Sequence, residues 1–531
     1  MRGLSAVSLT VLLVGVSLIA SPSVHGGRIL VFPVDGSHWV NMNLIVQSLH
    51  AKGHEVTVVR TSTSWYIKET ALHYRSITIS LPEAICIEEP NFFHSFLSEM
   101  LKIQKDGGAL SFVRFYWEVL TTLSMIHQQA SMMGVEIFKN KTLLQSLHDT
   151  EFDVVLIDPG LPVGVLVAHE LKLPTVFNVR WVTAGDGHFV VAPSPTSYVP
   201  ISGNAMSDRM TFAQRLKNTL YYFLNTCIDR YVVCPHYDRL VEKFFGSDVN
   251  FYHLLQSADL WLIRVDFVFE FPRPTMPNVA YIGGFQCKPS EPLSSELEDF
   301  VQSSGEYGFV LMSLGTLVQG LPLEITSEIA AAFAQIPQKV IWRHTGKSPK
   351  NLGNNTFLVK WLPQNDLLGH PKIKAFVGHG GTNGIYESIY HGVPMIGIPL
   401  LFDQFENVLR LEVRGAAKVV HATELTRQKF LEVLQEVLTN PSYRENMRRL
   451  SALHRDKPMH PLDTALFWIE FVMRHKGASH LRSESYRMPW YSYHSVDVGG
   501  FALAVAFMMT LFVVGSLKFL CFSRKKKSKQ D

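Results

Sequence analysis

The sequence has few cysteines and little net charge. Cys86, Cys227, Cys234 and Cys287 have no metal-ligand spacing, and Cys521 lies in the apolar C-terminal stretch. The cysteines therefore indicate no disulfide framework and no zinc site. A formal net charge of +3 on 531 residues argues against a nucleic-acid partner.

Charged residues are also scarce, at 18% of the chain, whereas 47% of the residues are hydrophobic. A chain of 531 residues with this hydrophobic content is enough for two or more domains with buried cores. At the N-terminus, Arg2 precedes an apolar run at 7–20 and small residues up to Gly27. This pattern predicts a secretory signal peptide over residues 1–26. The apolar run is short for a membrane span, which disfavours an uncleaved anchor.

The C-terminus predicts a membrane anchor. Residues 498–517 are twenty residues without a charge, and an aromatic linker over 477–497 precedes them. The basic run at 524–527 makes the tail, 518–531, cytosolic and the preceding chain lumenal, as in a single-pass type I protein. The lysines near the end resemble a dilysine retrieval signal for the endoplasmic reticulum, and a plain stop-transfer cluster is the alternative.

Two residues follow strand-like runs in the N-terminal half. The pattern at 28–59 predicts strand, loop, helix over 41–51 and strand, with His38 in the loop. A second buried strand, 152–157, ends at Asp158. The carboxyl ends of parallel strands share one sheet edge, where ligands bind in such folds.

His38 and Asp158 together suit general base catalysis. A carboxylate that accepts from one imidazole nitrogen fixes the tautomer and stabilises the imidazolium. No nucleophilic serine or cysteine motif accompanies the pair. It therefore suits the removal of a proton from a substrate hydroxyl, although a single histidine in a loop is more often structural.

The segment 361–407 predicts a nucleotide site. The apolar run 375–377 leads into a glycine turn and a helix start, and free N–H groups at a helix start attract phosphate. A tight strand–helix connection would explain the glycines alone equally well. The residues predicted to hold phosphate at this turn are His379, Gly380, Gly381, Asn383 and Gly384.

Other polar residues stand where apolar segments end. Glu387 is placed to accept ribose hydroxyls, and Trp361 could offer its ring to a nucleobase. We expect further donor contacts from five residues that follow predicted strands. These are Gln364, Thr316, Arg343 and the pair Asp403 and Gln404, which the strand 393–399 precedes.

The motifs WLPQNDLLGHP, HGGTNGIYES, VDGSHW and LIDP resemble those of the UDP-glycosyltransferases, and in particular the vertebrate UDP-glucuronosyltransferases. The resemblance implies an α/β GT-B fold of two Rossmann-like domains that face a cleft. These are an acceptor domain over 27–285 and a UDP-sugar domain over 286–476. It also implies an inverting transfer of glucuronate to a lipophilic hydroxyl, with His38 as base and Asp158 as its partner.

We expect as partners a UDP-sugar, a small lipophilic acceptor and membrane lipid, with no cofactor and no metal, and homo-oligomerisation stays open. The aromatic residues of 90–134 either line an acceptor pocket or pack between helices. In a lumenal chain, Asn140 and Asn354 are candidate glycosylation sites.

The choice of donor is the least determined point. UDP-glucose or UDP-galactose would use the same fold, and a non-catalytic lumenal subunit that binds a sugar nucleotide, or a type I receptor, is a rival of another class. A uronate carboxylate needs a cation or several N–H donors. Arg264, which ends the strand-like run 261–263, is the candidate. A surface salt bridge, or packing against the proline-rich loop 272–277, is its alternative role.

Overall fold

The computed structural model describes residues 26–527, except for seven positions in three loops. The predicted signal peptide lies almost entirely outside the described residues, and so does Thr316. The chain divides after Leu481 into two compact units. The seven positions are Pro90, Thr183, Ala184, Thr316, Leu317, Gln319 and Gly320.

The first half of the larger unit contains a seven-stranded parallel sheet in the order β3-β2-β1-β4-β5-β8-β9, and a separate antiparallel pair, β6 and β7. The sheet strands are mostly buried, which is why they are apolar runs in the sequence. The strands are β1 (Arg28–Phe32), β2 (Glu55–Thr61), β3 (Arg75–Ile79), β4 (Val154–Ile157), β5 (Thr175–Val179), β6 (Trp181–Val182), β7 (Gly185–Asp186), β8 (Leu260–Ile263) and β9 (Val279–Tyr281).

Helices connect these strands, and the first begins earlier than predicted. Its N-cap is Gly36, whose φ of 76° suits glycine, and no side chain caps it. His38 therefore lies in the first helical turn and not in a loop. The helices are α1 (Ser37–Ala51), α2 (Phe92–Asp106), α3 (Gly108–Lys139), α4 (Lys141–Asp149), α5 (Val163–Leu171), α6 (Gly187–Val191), α7 (Phe212–Ile228), α8 (Cys234–Phe244) and α9 (Phe251–Gln256).

The second half of this unit contains a six-stranded parallel sheet in the order β12-β11-β10-β13-β14-β15. With the first sheet, it confirms the prediction of two Rossmann-like sheets. The strands are β10 (Phe309–Ser313), β11 (Lys339–Arg343), β12 (Thr356–Val359), β13 (Ile373–Gly378), β14 (Met395–Gly397) and β15 (Ala417–Val419).

The helices of the second half cover both faces of this sheet and include the one after the glycine turn. That helix begins at Thr382, two residues before Gly384. The helices are α10 (Ser295–Gln302), α11 (Leu323–Phe333), α12 (Gln364–Leu368), α13 (Thr382–His391), α14 (Gln404–Val413), α15 (Arg427–Thr439), α16 (Pro441–Arg455) and α17 (Pro461–His475).

Helix α17 returns to the first sheet. Leu466, Ile469 and Val472 lie in the same hydrophobic core as residues of β1 and β4. Glu470 on this helix also accepts a hydrogen bond from Lys52 Nζ at 2.9 Å. The first sheet therefore packs against a helix from the end of the second half of the chain. The domain boundary at residue 286 stays a prediction.

The aromatic segment forms two helices that break at Gly107, which has a φ of 64°. Leu97 and Met100 of α2 are buried in the core of the second sheet, so packing accounts for that helix. Phe112 and Trp117 of α3 are exposed, so they take no part in a core.

The smaller unit contains a short helix, α18 (Trp490–Tyr493), and a long one, α19 (Val496–Lys527). Within the described part of the chain, the stretch Val496–Ser523 is the only helix that is long and apolar enough to cross a membrane. The predicted span, 498–517, lies inside it.

Candidate active site

His38 and Asp158 lie together at the carboxyl edge of the first sheet, because β1 and β4 are neighbours. The imidazole Nδ1 is 2.7 Å from Asp158 Oδ2. The Asp158 side chain is completely buried, and that of His38 is 22% exposed. Burial raises the pKa of Asp158, but His38, Arg264 and the Gly160 N–H together outweigh this effect and lower it. An ionised Asp158 holds the proton on Nδ1, which leaves Nε2 to accept a substrate proton.

Two arginines follow the next two strands along the same edge. Arg180 comes directly after β5 and Arg264 directly after β8, and the Arg264 backbone N–H donates to Val179 O at 3.0 Å. Arg264 is buried, and its Nε has no partner. Burial, together with Arg180, lowers the pKa of Arg264 to about 10, although Asp158 and Asp403 act in the opposite direction.

Arg180 connects the first sheet to the second. It forms an ion pair with Asp403, with Nε 2.9 Å from Oδ2, and Nη2 donates to Asn407 Oδ1 at 2.9 Å. The Asn407 amide in turn donates to Asp403 Oδ2 at 2.7 Å and to Gly380 O at 2.9 Å. Burial raises the pKa of Asp403, but Arg180, Asn407 and Arg410 together outweigh this effect and lower it.

A second hydrogen bond joins the two halves near the phosphate turn. Asn41 Nδ2 of α1 donates to Asn383 Oδ1 of α13 at 2.7 Å. The carboxyl edges of the two sheets therefore face each other, and they bring His38 and Asp158 to the same cleft as Asp403. Sequence reasoning missed Arg180, Asn41 and Asn407. Only Arg180 had a usable signal, since it directly follows the largely apolar run 173–179 as Arg264 follows 261–263.

The glycine turn provides an open helix N-terminus. Gly381 is the N-cap of α13, and no side chain accepts from the first N–H groups of this helix. Gly380 has a φ of 89°, and a Cβ there would lie 2.8 Å from the Gln404 carbonyl oxygen. Only glycine fits this position. Exposed N–H groups at the positive end of a helix dipole suit a diphosphate.

His379 directly follows β13 at the turn and packs on Gly315. A Cβ at Gly315 would lie 2.6 Å from His379 Cε1, so the imidazole uses the space that the glycine leaves. Burial lowers the pKa of His379 to about 4. At neutral pH this histidine is therefore uncharged and offers one N–H donor rather than a cation.

Four predicted nucleoside contacts also lie near one another. The Arg343 guanidinium is 5.7 Å from the centroid of the Trp361 ring, and Trp361 is 65% exposed. Arg343 Nη1 also donates to Gly315 O. Gln364 Nε2 donates to Glu387 Oε2. Burial raises the pKa of Glu387 to about 7, so this carboxyl group gains or loses its proton around neutral pH.

Gln404 has a structural role in addition to its predicted one. Its Oε1 accepts from the backbone N–H groups of Leu400 and Leu401, at 2.9 and 3.0 Å. This fixes the loop that leads into α14. The carboxamide NH₂ is then the part of this side chain that can donate to a sugar hydroxyl.

An aromatic cluster adjoins the sugar-binding residues. Phe402, which precedes Asp403, has a φ of 55° and stacks on Phe96 at a centroid distance of 6.4 Å. Phe93 meets the same ring edge-on at 6.5 Å. Helix α2 therefore brings an apolar wall to the cleft while its other face is buried in the core.

Neither sequon is buried. Asn140 is exposed and caps α4, with Oδ1 accepting from Leu143 N at 3.0 Å, and Asn354 is exposed in the turn before β12. Glycosylation at these sites stays a prediction. Among the residues that the structure describes, no three His, Cys, Asp or Glu side chains come together as metal ligands.

Comparison with known proteins identifies the family. Residues 27–530 match the family model described as "UDP-glucoronosyl and UDP-glucosyl transferase". The chain is similar to rat UDP-glucuronosyltransferase 1-2, at 41% identity over 100% of this chain and 97% of that protein. It is also similar to rabbit UDP-glucuronosyltransferase 2B13, at 42% identity over 92% of both chains.

Solved structures agree on the fold. The calicheamicin glycosyltransferase CalG4 matches with a TM-score of 0.56 and 18% identity, over 85% of this chain and 99% of that chain. The glycosyltransferase VinC, in complex with DTDP, matches with a TM-score of 0.51 and 18% identity, over 84% and 100%. These two proteins show the architecture alone. The chain has the GT-B fold and belongs to the family of UDP-glucuronosyl and UDP-glucosyl transferases.

Proposed function

We propose that the protein transfers glucuronate from UDP-glucuronate to hydroxyl groups of small lipophilic acceptors. The observation that carries this proposal is the His38–Asp158 pair at 2.7 Å, facing the edge that holds Asp403 and the open N-terminus of α13. The full-length similarity to UDP-glucuronosyltransferases supports the choice of donor.

In this mechanism, His38 Nε2 accepts the proton of the acceptor hydroxyl while Asp158 accepts from Nδ1–H. The acceptor oxygen forms a bond to the anomeric carbon from the face opposite UDP. The bond from that carbon to the diphosphate oxygen breaks, and UDP leaves with the electron pair. An α-linked donor therefore yields a β-glucuronide. The resulting imidazolium is stabilised by the ionised Asp158.

The donor site uses the second sheet. The N–H groups of α13 and the neutral His379 hold the diphosphate, where charge develops as UDP leaves. Glu387 accepts from the ribose, and Trp361 with Gln364 contacts the base. Asp403 accepts from sugar hydroxyls, and Arg264 is the predicted partner of the carboxylate. A resident metal is not part of this scheme.

The acceptor enters from the side of α2. Phe93, Phe96 and Phe402 give this side an aromatic wall, which suits flat or hydrophobic alcohols and phenols. Conjugating such molecules to a charged sugar makes them soluble, so detoxification is the physiological role that fits this chemistry.

We place the enzyme in the membrane of the endoplasmic reticulum, with both sheets in the lumen. The apolar helix Val496–Ser523 and the basic run after it support a type I anchor. The N-terminal signal peptide, the terminal lysines and the two sequons complete this proposal.

The decisive experiment is a donor assay on microsomes that contain the full chain. Radiolabelled UDP-glucuronate, UDP-glucose and UDP-galactose are supplied separately with a panel of phenols and alcohols. We expect conjugates mainly from UDP-glucuronate, and none from the His38→Ala protein at equal expression. Conjugation from UDP-glucose in preference to UDP-glucuronate would refute the donor assignment but not the catalytic pair.

A further inference from the structure

Arg180 stands between Asp403 and Arg264, and the proposed function gives it no role. We propose that Arg180 is a specificity-determining residue for the donor: by neutralising Asp403, it allows an acidic sugar to bind beside an acidic side chain. This inference rests on the proposed function and assigns a further residue to the same site.

The need for such a residue follows from the charges. An ionised Asp403 that accepts from sugar hydroxyls favours any hexose, but it repels a carboxylate on the same sugar. In a pyranuronate, the carboxylate is attached to the ring carbon next to the one that bears the 4-hydroxyl. The carboxylate therefore cannot be far from groups that bind the ring hydroxyls. A neutral sugar such as glucose meets no such repulsion.

Arg180 meets this need directly. Its Nε is 2.9 Å from Asp403 Oδ2, and its side chain is only 11% exposed, so solvent screens the pair weakly. Asn407 holds both partners: it accepts from Arg180 Nη2 at 2.9 Å and donates to Asp403 at 2.7 Å. The charge of Asp403 is therefore compensated by a fixed group and not by a mobile ion.

The neighbouring arginine, Arg264, provides the attractive contact for the sugar carboxylate. Arg264 lies beside Arg180 at the ends of adjacent strands, and its buried Nε has no partner. Asp158 also acts on Arg264, but both of its carboxylate oxygens already accept hydrogen bonds, from His38 and from the Gly160 N–H. With Asp403 compensated by Arg180, the unpartnered Nε–H of Arg264 is left to donate to a carboxylate on the sugar.

The test compares kcat/KM for UDP-glucuronate with that for UDP-glucose. In Arg180→Leu we expect this ratio to fall by roughly 10- to 100-fold, the size expected for a lost charged contact. Adding Asp403→Asn to this variant removes the uncompensated negative charge. The double variant should therefore recover a large part of the ratio even though both single variants lose activity.

Control variants separate charge from folding. Arg180→Lys keeps the charge and should keep most of the ratio, whereas Arg180→Gln should lose it, and this comparison replaces Arg180→Leu if that protein does not fold. Arg414→Leu is the matched control. Arg414 also joins the two halves, through Nη2 to Glu270 O at 2.9 Å, but from the other end of α14. Its ratio should equal that of the wild type.

Two results would overturn the inference. One is an equal loss of kcat/KM with both donors in Arg180→Leu, which would mean that Arg180 only positions Asp403. The other is a double variant whose ratio stays as low as that of Arg180→Leu. A wild-type chain that does not prefer UDP-glucuronate would instead refute the proposed function, before any variant is compared, and would remove the basis of this inference.

Discussion

Replacing Asp158 with asparagine should nearly abolish turnover, although the side chain keeps its size and shape. Asp158 is completely buried and lies 2.7 Å from His38 Nδ1, so water cannot take over its role. The asparagine amide can donate to Nδ1. The imidazole proton then moves to Nε2, the nitrogen that must accept the substrate proton.

The expected magnitude follows from the function that is lost. A general base contributes about 10²- to 10⁴-fold to a rate, so His38→Ala should lower kcat by ~10²-fold or more. Asp158→Asn should have a similar effect. Because the two residues act as a unit, the double variant should be about as slow as the slower single variant.

The assay is steady-state conjugation of a phenol and of an aliphatic alcohol, together with inhibition by UDP. Phenols should lose less, since their pKa near 10 makes the proton easier to remove. Inhibition by UDP should not change. Asp153→Asn is the control: Asp153 precedes the same strand at its opposite end and accepts from Arg28 N. Wild-type turnover in Asp158→Asn would refute the base assignment.

Three other predictions concern the donor site and the topology. Burial raises the pKa of Glu387 to about 7, whereas a glutamate in the unfolded chain has a pKa of about 4.3. The contribution of Glu387 to the stability of the fold should therefore decrease as the pH rises from about 4.3 to about 7. Donor binding should strengthen over about pH 6 to 8, as the carboxylate forms and accepts from ribose, and Glu387→Gln should remove both pH effects. Arg264→Leu should raise KM for UDP-glucuronate and spare inhibition by UDP, and an equal loss with UDP-glucose would make Arg264 structural. In sealed microsomes, protease should remove only the tail after about Phe522, and digestion of the rest of the chain would show the opposite orientation. Endoglycosidase H should shift the band of the protein on a gel if Asn140 or Asn354 is glycosylated.

The strands could be predicted well from the sequence because parallel strands covered on both faces are short apolar runs between loops. The predicted strand at 152–157, which ends before Asp158, differs from β4 only at its start. Since polar residues follow these runs, the edge of the first sheet that holds His38 and Asp158 and the edge of the second sheet that holds Asp403 could be inferred as well.

Helix starts were less predictable. Both α1 and α13 begin after a glycine, with no Ser, Thr, Asp or Asn cap on the first N–H groups. The usual capping signal is therefore missing, and both helices were predicted to begin later. At the glycine turn, the same missing cap leaves the N–H groups available to a phosphate.

Contacts between the two sheets could not be predicted. Arg180 and Asp403 are 223 residues apart in the chain, and Asn41 and Asn383 are 342 apart. No local pattern relates such residues, because their contact depends on how two sheets dock. The sequence indicates which residues stand at each edge, but not which of them meet.

The return of α17 to the first sheet limits how this enzyme can be divided. Leu466, Ile469 and Val472 belong to the core of the first sheet, and burying three such side chains contributes about 5 to 9 kcal/mol. A recombinant donor half over 286–476 would expose that apolar face. In chimaeras that exchange the first half between relatives, one parent's α17 must fit the other parent's sheet. When such chimaeras change their choice of acceptor, their thermal stability should also be measured, because a poorly fitting α17 would destabilise the first sheet.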